Sequence, residues 1–188
     1  SNTNMAHAYN LTKRYDEAIS YLNKALGLCR KNQDKQGESA CLTNLGVANY
    51  MLGNYAMAQN HYQQALEVAE SLGDVDATAL LLGNLAALSI ETAQRQPENT
   101  PARTLGYHLA LTYSLRAYNL AREMKSVHQL EKLSTQLMKV YRMTGNHAKA
   151  LEFAEVVINL RDSLFQTSKI QDISEMETTS QTARRSEE

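Results

Sequence analysis

At 188 residues the chain has the length of one domain or one repeat array. Hydrophobic residues make up 43% and charged residues 21%, which excludes a disordered composition. Lys+Arg 19 against Asp+Glu 20 leaves a net charge of −1, so there is no electrostatic warrant for nucleic-acid binding. The apolar run “ATALLLGNLAALSI” (77–90) is broken by polar residues and falls short of the ~18 residues a membrane-spanning helix needs. No signal peptide opens the chain. Only two prolines occur, Pro97 and Pro101, and no sustained period-2 pattern appears, so helix is expected throughout.

In chain order, “SN” (1–2) looks like the remnant of a cleaved tag, and the chain reads as a piece of a longer protein. Residues 3–33 form a first helical hairpin, whose second helix carries “YDEAISYLNKAL” (15–26). In the second unit, 34–73, Tyr15, Ala18, Ala25 and Leu26 return as Tyr55, Ala58, Ala65 and Leu66, each displaced by 40. The third unit, 74–125, repeats “NLG” (44–46) as “NLA” (84–86) and carries an insert, “QRQPENTPART” (94–104), that holds both prolines. Thr100 followed by Pro101 reads as an N-cap and first helical residue. In the fourth unit, 126–165, Gly145, Asn146 and Ala150 repeat Gly53, Asn54 and Ala58, displaced by 92. Residues 166–188 break the repeat, and Ser168 with Gln171 forms a capping-box pattern that starts a separate last helix, with Ile170, Ile173 and Met176 as a narrow apolar stripe.

Gly46, Ala48 and Ala58 occupy positions where a core helix normally places a large residue. Small side chains there let helix axes approach, while Leu45, Tyr55 and Tyr62 fill the recesses opposite. Gly53 allows the left-handed residue that ends a helix. Gly83 and Gly106 lie inside helices of the third unit, each costing about 1 kcal/mol relative to alanine, so the array is expected to be loosest there. The first unit has “LTKRY” (11–15) with no glycine, so its turn must be built differently.

The pattern resembles the tetratricopeptide repeat family over about residues 3–160. The residues that carry the resemblance are Leu45, Gly46, Gly53, Tyr55, Ala58, Tyr62 and Ala65, then Leu137, Tyr141, Gly145, Ala150 and Ala154. Asn49 departs from it, standing where the family has tyrosine, with Tyr50 beside it. The resemblance implies an all-α, right-handed solenoid of about four hairpins. Its concave groove would bind protein or peptide through Thr43, Tyr50, Ile90, Thr135, Lys139 and Arg142. The Lys/Asn set with which chaperone-binding members grip a terminal carboxylate is missing. Lys139 and Arg142, one turn apart, either hold one anionic group or form a solvated helix face.

“RDSLF” (161–165) and the tail after it resemble the segment that closes tetratricopeptide sensor regions in Bacteroidetes-type regulators. There it leads to a transmembrane helix and then to a kinase or DNA-binding output. That resemblance implies a periplasmic sensor region of an inner-membrane signalling or transcriptional regulator. Its contact with the membrane would come only through a following segment, and a homodimer could form through the C-terminal helix. The plainer account of the tail is a capping helix over the end of the solenoid, and the alternative for the whole is a cytosolic adaptor.

No catalytic, metal or cofactor site is expected. The five histidines are scattered, with no HExxH or Cys-His spacing, and His147 reads as a packing residue in place of an aromatic one. Asp74 and Asp76 sit at a helix start, where they suit the dipole. Cys29 and Cys41 lie about equally far from the turn near 34–36. They either face each other closely enough for a disulfide or pack as two small buried thiols.

Overall fold

A computed structural model of the chain describes residues 14–185, with side chains given for 14–166, 168 and 169. Seven helices fill the described residues: α1 Tyr15–Lys31, α2 Lys35–Met51, α3 Tyr55–Leu72, α4 Val75–Gln94, α5 Pro101–Glu123, α6 Val127–Met143 and α7 His147–Arg185. Each packs on the next, and α4 also meets α6, so the hairpins stack in chain order as an all-α repeat array. The first helix of the first unit, and most of “LTKRY”, fall outside the described residues.

Five of the six turns share one hydrogen-bond scheme. A residue in the left-handed region donates its N–H three residues back, and the next residue donates five back; Gly53 N–H reaches Tyr50 O at 3.0 Å and Asn54 N–H reaches Asn49 O at 2.8 Å. This pairing satisfies carbonyls that the helix end leaves open. The left-handed position is held by Gln33 (φ 56°), Gly53 (79°), Gly73 (66°), Lys125 (55°) and Gly145 (77°). Asp34 and Asp74 then cap the helices that follow, accepting from Gly37 N–H and Ala77 N–H at 2.9 Å.

The small-residue reading of the core holds. Ala18, Ala58, Ala65 and Ala110 are fully buried, and a methyl added at Gly46 would run into the Tyr62 ring. Asn49 is buried too, and its side-chain amide donates to Leu45 O at 2.8 Å on its own helix.

Four expectations need correction, and the choice left open for the two cysteines is decided. The loop within the insert at 94–104 is narrower than its bounds: residues 95–100 form it, and Thr100, accepting from Arg103 N–H at 3.3 Å, and Pro101 open α5 as their order predicts. The remaining extra residues lengthen α4 and α5 to 20 and 23 residues.

At Gly106 the third unit is tight where looseness is expected. A methyl at Gly106 would stand 2.7 Å from Ala93 Cβ and 3.3 Å from Ala93 Cα, so α4 and α5 approach closely there. The glycine that costs helix propensity is what permits that contact.

No separate helix begins at Ser168, because α7 runs unbroken through it. The repeat register explains why. Left-handed residues 33, 73 and 125 correspond to Phe165, and the caps Asp34, Asp74 and Ser126 correspond to Gln166. A bulky aromatic disfavours the left-handed region and glutamine is a poor N-cap, so the helix continues. The capping reading of the tail falls with it, since a continuous helix does not fold back. The predicted stripe at 170, 173 and 176 lies outside the described side chains.

Cys29 and Cys41 are not joined. The turn places Cys29 Sγ against Gly37, where an added methyl would lie 2.6 Å from it, one helical turn short of Cys41. Cys41 is fully buried in the core, so both serve as packing thiols. Finally, His147 is exposed, and Phe153 supplies the aromatic packing of that hairpin, stacked on Tyr141 at 5.7 Å.

Candidate functional site: a groove along the first helices of the repeats

The helices that open units two to four, α2, α4 and α6, line a groove holding a cavity of about 380 Å³. The repeat period places Tyr50 and Ile90 at equivalent positions on α2 and α4, and both line it, with Thr135 and Lys139 from α6. Thr43 and Arg142 do not: the Thr43 hydroxyl is spent on Ser39 O at 2.8 Å, and Arg142 is exposed beyond the lining.

Four charged lining residues carry no repeat signature and went unforeseen: Glu91, Glu131, Lys132 and Arg161. Arg161 belongs to α7 and reaches back to Glu131, Nε to Oε1 at 2.7 Å. Thr135 donates its hydroxyl to Glu131 O at 2.9 Å. At the α2 end, Arg95 lies 3.0 Å from Glu91 and donates to the Tyr55 hydroxyl at 2.7 Å, with its guanidinium 4.7 Å from the Tyr55 ring centre. Tyr50 packs tilted on Tyr55 at 5.8 Å. Burial, then the Glu91 charge, pushes the Tyr50 phenol up, so it stays protonated as a hydrogen-bond donor.

Both groove carboxylates are thus neutralised. Lys132 and Lys139 have no ion-pair partner among the described residues and leave the lining net positive. Next to the cavity lies a second depression of about 260 Å³ that shares Lys132 and Gln136 with it. Its wall holds Leu80, exposed at 47%, and Gly83. Gln129 Oε1 is buried there without a hydrogen-bond partner. An apolar shelf from α4 thus lies beside two ammonium groups of α6 that have no ion-pair partner among the described residues. Among the described residues no group of three or more His, Cys, Asp or Glu is placed to hold a metal.

Stacked hairpins with such a groove define a helical-repeat interaction scaffold. The chain belongs to the tetratricopeptide repeat family, whose profile matches residues 1–71 and 38–96. No curated protein matches the sequence. Among solved structures, BtubC (BKLC) from P. vanneervenii superposes with a TM-score of 0.75 at 19% identity, over 87% of this chain and 63% of that one. The chain thus spans less than two thirds of BtubC, and the likeness is one of fold. A chain of the DHF58 filament matches at a TM-score of 0.43 and 14% identity, over 91% of this chain and 92% of that one.

Proposed function

We propose that the groove takes an extended segment of a partner protein carrying two acidic side chains three residues apart. Lys132 and Lys139 are separated by two helical turns, about 10.5 Å of rise, and three residues of an extended polyproline-II segment, one full turn, span about 9 Å with both side chains on one face. Each carboxylate then meets one ammonium, and an apolar side chain covers Leu80 and Gly83. The test is fluorescence polarisation with a labelled peptide holding Glu at those two positions. Lys132→Glu or Lys139→Glu weakens binding about tenfold each, an electrostatic loss that added salt reproduces. Equal binding of a peptide with both acids replaced by glutamine refutes the assignment.

In this reading the chain is a non-catalytic scaffold serving as the extracytoplasmic, periplasmic sensor region of a membrane-anchored signalling or transcriptional regulator. The observation that carries it is Arg161. It lines the groove and sits on the same helix that continues to Arg185, so an acidic ligand competing with Glu131 for Arg161 acts on α7 directly. The coding sequence beyond Glu188 decides the anchoring: without an apolar span of ~18 residues or more within some tens of codons, the sensor reading fails. The second reading is a cytosolic adaptor, and thiol titration of the isolated protein showing Cys29 and Cys41 reduced would favour it.

A further inference from the structure

Four equivalent positions, 26, 66, 118 and 158, lie on the second helices of the successive units. At the first three a large side chain is covered. Leu26 is 7% exposed, and Leu66 packs against core residues on both sides of it. The Tyr118 ring meets Phe153 of the next hairpin edge-on at 5.5 Å. At the fourth, Ile158 is 59% exposed, flanked one heptad away on each side by Leu151 at 63% and Phe165 at 67%.

Residues seven apart on a helix turn through 700°, so these three form one strip drifting about 20° per step, the geometry of a supercoiled contact. Arg161 and Asp162 stand on opposite sides of the strip, 100° apart around the helix. Arg161 gives Nε to Glu131 and keeps its remaining N–H groups. Asp162 has no ion-pair partner among the described residues. α7, at 39 residues, also outlasts the 17-residue α6 it packs on by about 22 residues, roughly 33 Å. Most helical stability in proteins comes from packing of an apolar face rather than from propensity.

We infer that a second copy of this chain covers the strip, with the two α7 helices parallel and the two-fold axis running between them. Leu151, Ile158 and Phe165 each then meet their own counterpart. A two-fold along the helices sets one flank against the opposite flank, so Asp162 faces Arg161 of the partner copy, twice by symmetry. An antiparallel pair centred on Ile158 sets like flanks together and brings Asp162 to Glu155 of the partner copy, two carboxylates. Charge therefore selects the parallel pair. The inference depends neither on what the groove binds nor on where the protein resides.

Light scattering on the 188-residue chain tests it. The parent should run at twice its 21.0 kDa, and Ile158→Glu or Phe165→Glu should halve that mass with the circular dichroism of the fold unchanged. A parent of 21.0 kDa at every concentration, or a dimer that survives Ile158→Glu, overturns the inference. Orientation is read with Leu151→Cys under mild oxidation. Parallel pairing links this variant to itself where the parent treated alike does not link. Linkage only in a mixture of Leu151→Cys and Phe165→Cys overturns the parallel geometry.

Discussion

Gly106→Ala tests how the third hairpin is packed. Replacing a helix-interior glycine by alanine normally gains about 1 kcal/mol through helix propensity. At Gly106 the new methyl would lie 2.7 Å from Ala93 Cβ, 3.3 Å from Ala93 Cα and 3.4 Å from Ser89 O. None of these atoms is the loose end of a side chain, so α4 and α5 must separate. Overpacking of this kind costs about 1–3 kcal/mol, here toward the upper end because backbone has to move. The net is a loss of about 2 kcal/mol, or a Tm lower by about 4–8 °C for a chain of this length. Gly83→Ala, one helix earlier, is the control. Its methyl meets only Leu133 Cδ2, at 3.5 Å, an ordinary contact. That variant should gain about 1 kcal/mol and melt about 2–4 °C higher. Thermal and urea unfolding followed by circular dichroism read both, using the first transition if the array melts in steps. Opposite signs are required; a Gly106→Ala protein that melts above the parent would refute the close approach of α4 and α5.

Lys125 holds a left-handed turn position that glycine fills in other units, so Lys125→Gly should stabilise by about 1 kcal/mol in urea unfolding. Ser114 Oγ is fully buried without a hydrogen-bond partner, and Ser114→Ala should leave the melting temperature unchanged or raise it by the ~1 kcal/mol its desolvation costs. Glu38 is nearly buried between Lys35 and Arg30, each at 2.8 Å, and these hydrogen bonds hold its carboxyl below the ordinary 4.5. A depressed carboxylate pKa adds stability above the unfolded value that disappears as pH falls through the folded one. Glu38→Gln should therefore cost about 1 kcal/mol at neutral pH, discounted for two half-exposed cations, and show a shallower stability loss below pH 4.5 in acid titration.

The repeat period made the helices, the small-residue seams and half the groove legible, because those features recur at a fixed displacement. Tyr50 and Ile90 were found that way. Glu91, Glu131, Lys132 and Arg161 were not, since charged residues on a helix face leave no periodic mark and only the fold shows which face is lined. Counting residues from the turn leaves a facing Cys29–Cys41 pair open beside two packing thiols, and the turn's own geometry decides for packing by shifting the register so that Cys29 meets Gly37. Gly106 was read by its local cost alone, and its benefit lies on another helix across the irregular insert. The Ser168 capping box was a local pattern judged without the register. Aligning 33, 73 and 125 with Phe165 would have shown from sequence that the fourth unit lacks the turn.

The end of the array and its link to the groove trace to neighbouring residues. Positions 29, 69, 121 and 161 are equivalent in the four units. The first three hold Cys29, Ala69 and Ala121, small side chains that the next hairpin presses against, with both alanines fully buried. The fourth holds Arg161, which no following helix could approach as closely. Four residues on, Phe165 removes the left-handed turn that would have laid such a helix down. Freed from packing, the Arg161 side chain turns to the groove and takes Glu131. The substitution that stops the stacking is thus also the one that ties α7 to the binding surface.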